Sequence, residues 1–206
     1  MAFKLDDVDI ENIRIAQLKP NNKLWEDPEL AYLREKIKLH FINRPLVVCS
    51  YCNRNLHGEF RMVIDIEHIL PKNKFKNLTY TPENLNISCK RCNMQYKKEK
   101  MDFIIDSAIM GTDYFNSAHY KFIHPNLDQY NNHLKLNIFQ FNQFKYIKYI
   151  PEKNSQKGNF TYSYFELKNL EISCIDTAQG LQGSINLAEK IKGKIRFGLV
   201  KLLTKI

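Results

Sequence analysis

The sequence has no apolar stretch approaching the ~20 residues that a helix needs to cross a bilayer, and no charged-then-apolar segment of the secretory kind at its start. These absences argue against a membrane helix and lead us to expect a soluble, cytoplasmic protein. Acidic residues are also in deficit: twenty-two Asp and Glu face thirty-one Lys and Arg, a formal charge of +9. That balance favours a polyanionic partner such as nucleic acid or an acidic membrane surface, although a lysine-rich proteome would produce the same excess. Cysteine is sparse, and four of the five stand in two Cys-x-x-Cys pairs. In a reducing compartment such pairs indicate metal binding rather than disulfides. Cys174 is left over, and its expected role is that of a small buried hydrophobe.

What remains is 206 residues, enough for one ordinary domain, which we expect to be one structural unit with a small metal module inside it. The opening segment holds "DPELAYLREKIKLHFINRP", where Asp27 can cap a helix with Pro28 at its first position. Leu30, Leu33, Ile37 and Phe41 recur there at helical spacing, and Pro45 ends the run. "FRMVIDIEHIL" predicts a strand, "PKNKFKNLTYTPEN" a long surface loop, and "NMQYKKEKMDFIIDSAIMG" a helix closed by Gly111. From about residue 112 the chain is aromatic and asparagine-rich, without repeats or low-complexity tracts. "PEKNSQKGN" predicts a turn between two strands, "FNQFKYIKYI" and "FTYSYFELKNLEIS". The last residues, "SINLAEKIKGKIRFGLVKLLTKI", follow the pattern of a basic amphipathic helix docking one apolar stripe on the core.

Cys49-Ser-Tyr-Cys52 and Cys89-Lys-Arg-Cys92 each hold two thiolates in a tight turn, and 36 residues separate the pairs. A tetrahedral Zn²⁺ takes four such ligands, and a closed four-sulfur shell leaves no position for substrate, so this zinc staples rather than catalyses. His57 lies between the pairs and is expected to be a loop residue. The clamped segment contains Glu67, His68 and Asn84, and Asn93 follows the last cysteine. Neighbouring side chains on a strand point to opposite faces, so Glu67 and His68 can converge only where the strand gives way to a loop, which Pro71 marks. A carboxylate can hold a hard cation such as Mg²⁺, and a neutral imidazole, titrating near ~6.5, can take a proton from water. Asn93, in the first turn of the next helix, can offer a carbamoyl oxygen as a second ligand. Two protein ligands leave most of the coordination sphere for water and phosphate oxygens.

"IEHILPKN", then "ENLNISCKRCNMQYK", with Cys49-x-x-Cys52 upstream, resembles the HNH nuclease family over about residues 46 to 105. The resemblance implies an α+β chain with a ββα-metal core stapled by a four-cysteine zinc site. An N-terminal helical segment (1–45) would precede the nuclease module (46–111), and a mixed α/β extension (112–206) would pack on it. It implies Glu67 and Asn93 as ligands of a catalytic Mg²⁺ or Mn²⁺, His68 as the general base, and Asn84 as the residue that ties down the loop and orients His68. Many members carry Asp where this chain has Glu67, and a sister carboxylate, Asp65, stands two residues back on the same strand face. Some members place a further His where this chain has Lys97.

The implied activity is hydrolysis of DNA phosphodiesters to a 5′-phosphate and a 3′-hydroxyl. Lys72, Lys74 and Lys76 in the loop, with Lys90, Arg91, Lys97, Lys98 and Lys100 around the helix, would neutralise flanking phosphates without reading bases. "FIHPNLDQYNNHL" is similar to a segment downstream of the module in some bacterial HNH proteins, including relatives of the PtuB nuclease subunit of Septu-type phage defence. That link implies an ATPase partner, and it singles out His124, Asp128 and His133, for which a supporting polar network is the simpler expectation. A zinc-ribbon adaptor that binds nucleic acid or protein without cutting is the rival reading.

Overall fold

A computed structural model describes residues 3–20, 23–141 and 144–172. Cys174 and the basic C-terminal segment lie outside the described residues. Backbone contacts divide the chain into two units, Met1–Lys135 with Pro151–Leu167, and Leu136–Ile150 with Lys168–Ile206. Among the described residues no helix is long and apolar enough to cross a membrane.

The first unit opens with α1 (Asp7–Gln17), started by a reciprocal clasp in which the Asp6 and Asp9 side chains each accept the other's backbone N–H. Asp27 then accepts from the Glu29 amide at the head of a short 3₁₀ turn, Pro28–Leu30, which runs into α2 (Ala31–Ile42). Leu30, Leu33, Ile37 and Phe41 form the buried stripe of this helix. Beyond the first cysteine turn, β1 (Ile64–His68) pairs antiparallel with β2 (Leu85–Cys89), so that Ile64 faces Cys89 and His68 faces Leu85.

Two local expectations change here. The segment 71–84 is not a surface loop throughout, because Leu78, Thr79, Tyr80 and Asn84 are buried against the strand end. The long helix expected after Cys92 is a seven-residue π-helix, Arg91–Lys97, that ends at Lys98 with φ +51°. Phe103 and Ile104 are both buried, but not on a helix. The chain instead extends there and bonds to 119–121, through Ile105 N–H to the His119 carbonyl and Lys121 N–H to the Phe103 carbonyl. Only a short helix, α3 (Ser107–Met110), remains, capped by Asp106 and closed by Gly111 at φ +51°.

β3 (Leu134–Phe141) and β4 (Phe144–Pro151) form a second two-stranded sheet. In the second unit Ile147 bridges Ile172, and Lys148 pairs with Glu171 at 2.6 Å. The stretch expected to be a strand after 160 is instead part of α4 (Gln156–Tyr164). Its aromatic-hydroxyl alternation imitates a strand. The helix nevertheless forms, because the Ser155 hydroxyl caps it at Gly158 and Phe160 stacks on Tyr164 one turn on, 5.3 Å between rings. A Cβ at Gly158 would stand 2.0 Å from the His133 carbonyl oxygen. Alanine usually stabilises a helix interior over glycine by ~1 kcal/mol. Here Gly158→Ala is expected to reverse that sign and cost ~1–3 kcal/mol in urea unfolding, because a rigid backbone oxygen cannot yield.

Candidate functional site

The Sγ atoms of Cys49, Cys52, Cys89 and Cys92 all lie within 4.8 Å of one another and all four residues are buried. A tetrahedron with metal–sulfur bonds of ~2.3 Å has edges of ~3.8 Å, and Cys52 and Cys89 stand 3.9 Å apart. The Cys89 amide also donates to Cys49 Sγ at 3.3 Å. Burial pushes the Cys49 thiol up and contact with the other sulfurs pushes Cys92 up, while the same contacts push Cys52 and Cys89 down, so the sulfurs share their protons unequally. Four such sulfurs do not ionise together without a cation, so the cluster has the geometry and softness of a structural metal centre.

One side of the hairpin opens on a cleft of about 720 Å³ that brings together Asp65, Glu67, His68 and Asn93, with Trp25, Arg34, Lys38, Lys72 and Lys98 among its walls. Asp65 and Glu67 lie two residues apart on β1 and share a face, which meets Asn93 and Lys97 of the π-helix, four residues apart. Asn93 Nδ2 donates to Asp65 Oδ2 at 3.1 Å, and Lys90 donates to Oδ1 at 2.9 Å. Lys97 Nζ lies 2.7 Å from Glu67 Oε1 with both side chains 1% exposed. The Tyr51 hydroxyl donates to the same oxygen at 3.0 Å. Burial pushes the Glu67 carboxyl up, and the Lys97 ammonium pulls it back down.

His68 ends the strand with its ring 4.4 Å from that of Trp25, edge to face, and its Nε2 3.0 Å from the Thr79 carbonyl. Burial holds its pKa down to about 3, so the imidazole is neutral near pH 7. A neutral ring that meets a carbonyl through Nε2 carries its proton there and leaves the lone pair on Nδ1. Asn84 fastens the segment that supplies Thr79: its Oδ1 accepts from Leu70 N–H at 2.7 Å, and its Nδ2 donates to the Leu70 and Leu78 carbonyls, each at 3.1 Å. Glu67 and His68 are both buried although they point to opposite sides of the strand, because the π-helix covers one and Trp25 the other.

Lys72 and Lys98 line the cleft, whereas Lys74 is exposed and not among its walls. Lys97 does not reach solvent. Its ammonium is turned inward on Glu67 and on the His68 carbonyl at 2.8 Å, which corrects its expected place among the phosphate-binding charges. Arg91 is likewise committed, donating to the Phe165 and Glu166 carbonyls. Arg34 and Lys38 were missed in the sequence. Arg34 donates to the Trp25 and Asp27 carbonyls and Lys38 to those of Arg61 and Ile64, so both bring charge to the cleft without a carboxylate on these bonds. Their signal was their spacing, one turn apart beside the buried Leu33 and Ile37. For Trp25 and Tyr51 the sequence offered only the rarity of tryptophan and a place inside a cysteine pair.

His124, Asp128 and His133 do not line the cleft. Asp128 accepts from Lys157 at 2.6 Å and from the His124 amide at 2.7 Å, and His133 meets Ser155. The His124 ring is buried, accepts from Asn126 N–H, and faces no partner at Nε2 among the described residues.

Residues 49–99, from the first cysteine through the π-helix, match the model of the HNH endonuclease family. The fold over this stretch agrees with that match: small antiparallel strands and a helix, with a four-cysteine cluster consistent with a zinc-stapled core. Over most of its length the chain is also similar to the Septu protein PtuB of Bacillus thuringiensis, 27% identical across 90% of this chain and 66% of that protein. The chain thus spans just under two thirds of the length of this relative. No solved structure matches.

Two buried imidazoles, His68 and His124, are each held at about 3 by burial, against an ordinary 6.5. Between those values the unfolded chain binds protons that the folded chain refuses, so stability falls as pH is lowered through 6.5 and keeps falling toward 3. The thermal unfolding midpoint of metal-loaded protein is expected to drop between pH 7 and 6, and His124→Leu to flatten that drop.

Proposed function

We propose that the chain is a divalent-cation-dependent endonuclease that hydrolyses DNA phosphodiester bonds, and that it is the nuclease subunit of a bacterial anti-phage defence system working with an ATPase. The observation that carries this reading is the neutral His68 imidazole, its lone pair left on Nδ1, in the same cleft as the Asp65, Glu67 and Asn93 side chains. His68 takes a proton from water, and the water oxygen attacks phosphorus in line with the departing 3′ oxygen. The carboxylates and the Asn93 amide oxygen are hard donors that suit Mg²⁺ or Mn²⁺. When bound, such an ion neutralises charge that develops on the phosphate oxygens. Glu67 and Asn93 are the ligand pair that family resemblance suggests, with Asp65 on the same face. Thr79 and Asn84 fix the ring of His68, while Trp25 shields one side of it from water.

Arg34, Lys38, Lys72 and Lys98 would receive flanking phosphates and make binding fall steeply with salt. Lys74 would extend this surface. The four cysteines would hold Zn²⁺ in a closed shell that serves the fold alone. Metal-binding thiols of this kind suit the reducing cytoplasm. Similarity to the Septu protein PtuB supports the defence setting, while the ATPase partner is what the family resemblance implies.

A zinc-ribbon adaptor would share the cysteines and the charge but has no use for a neutral imidazole among carboxylates. The two readings separate on nicking of plasmid DNA with Mg²⁺ or Mn²⁺, tested with and without the candidate ATPase. Wild type is expected to cut and His68→Ala to be slower by ~10²–10⁴-fold with zinc retained. If both proteins bind DNA equally and neither cuts with the partner supplied, the chain is an adaptor. One zinc per chain is expected by elemental analysis, and chelation is expected to unfold the module, as seen by circular dichroism.

A further inference from the structure

The proton acceptor is His68 Nδ1, and where that atom points depends on more than the bond made at the other nitrogen. A hydrogen bond from Nε2 to the Thr79 carbonyl holds one corner of the ring. The torsion that turns the ring plane is broad for histidine, so this bond constrains the plane only loosely. The second contact is Trp25, whose ring meets the imidazole edge to face at 4.4 Å and 87°. Trp25 sits in a three-residue 3₁₀ turn, Leu24–Glu26, that no side chain caps. Such a turn is a weak support by itself. Arg34 supplies the anchor: its Nη1 donates to the Trp25 and Asp27 carbonyls, each at 2.8 Å, and so grips the chain on both sides of Glu26. Tyr80, next to Thr79, adds a ring contact with Trp25 at 5.1 Å. Arg34 belongs to α2, whose Leu33 and Ile37 are fully buried, so the anchor is itself fixed to the core. Trp25 and Arg34 both precede residues 49–99, and the family match assigns neither of them a role.

We propose that Arg34 is a positioning residue for the nuclease reaction: it holds the Leu24–Glu26 turn so that the Trp25 ring seats His68 with Nδ1 aimed at the attacking water. The inference rests on the endonuclease reading above. A general base has to lie within hydrogen-bond reach of the proton it takes, and a displacement of ~1 Å can cost ~10²-fold in rate. The charge that Arg34 brings to the cleft is a separate property. Lysine keeps that charge but ends one bond short of Nη1 and lacks the planar fork that spans two carbonyls.

The test pairs nuclear magnetic resonance of the zinc-loaded full chain with steady-state nicking of plasmid DNA, the ATPase being supplied if cutting requires it. The variants are Arg34→Lys, Arg34→Met, Trp25→Ala and Trp25→Phe, each checked for folding by zinc content and circular dichroism. The His68 ring protons are assigned by their loss in His68→Ala. In wild type they carry the ring-current shift of Trp25, and Trp25→Ala marks their position without it. Both Arg34 variants are expected to move these signals toward that position and to lower kcat by ~10–100-fold, with Arg34→Lys leaving KM near wild type. Trp25→Phe is expected to recover part of the kcat lost in Trp25→Ala. Wild-type kcat in Arg34→Lys overturns the inference, as does a lower kcat with unmoved His68 signals. A rise in KM alone in Arg34→Met assigns Arg34 to phosphate binding and overturns it too. Those outcomes leave the endonuclease reading standing, whereas a wild type that does not cut with the ATPase supplied sinks both.

Discussion

Four sulfur atoms within 4.8 Å hold together two turns that lie 36 residues apart in the chain, and the candidate site depends on that clasp. Cys89 is the last residue of β2 and stands opposite Ile64, the first of β1, so the cluster pins one end of the hairpin. His68 lies at the other end, four residues along, or ~14 Å at strand rise. Cys92 belongs to the π-helix that carries Asn93 and Lys97, so the same cluster fixes where that helix begins relative to the strand. Joining the two cysteine pairs removes the entropy that the intervening chain would otherwise lose on bringing its ends together. The clasp and the apolar side chains buried beneath it, Ile64, Leu70, Leu85 and Ile87 among them, make the segment a frame for charged side chains.

On that frame the strand and the π-helix meet in two tiers. The inner tier, Glu67 with Lys97 and Tyr51, is dry and neutral as a unit, and Lys97 also ties the His68 carbonyl. The outer tier, Asp65 with Asn93 and Lys90, is open to the cleft. Burial thus divides two carboxylates of similar chemistry into one paired with Lys97 out of water and one partly open to the cleft. On the opposite side of the strand, Trp25 and the Thr79 carbonyl hold the His68 ring neutral and in one tautomer. Asn84 keeps that carbonyl in place through its bonds to Leu70 and Leu78.

Much of this was legible in particular residues. The spacing of the cysteines pointed to a four-sulfur centre, because two such pairs, each with its thiolates three residues apart in a turn, match the ligand set of a structural zinc. The apolar stripe of α2 and its Asp27-Pro28 start were readable because helix periodicity and capping are local. Where local pattern and long-range packing disagreed, packing won. The alternating aromatics of 160–165 imitate a strand, yet they lie on α4 and the turn after it. The run after Cys92 imitates a long helix, yet Phe103 and Ile104 leave it to pair with 119–121. Arg34 and Lys38 escaped notice because a basic pair on a helix is ordinarily solvated surface.

The sequence by itself determined the donor set: four soft thiolates, a pair of carboxylates, an imidazole and two carboxamides, in an order that the chain cannot alter. Only the tertiary structure decided which of those groups are spent on each other. Lys97 looks in the sequence like one more surface lysine, and the fold makes it the buried partner of Glu67. That outcome follows from desolvation, a property of the assembled core and not of any residue: a charge removed from water must find its opposite nearby. Lys97 found Glu67, while Asp65, on the same strand face, kept its access to solvent.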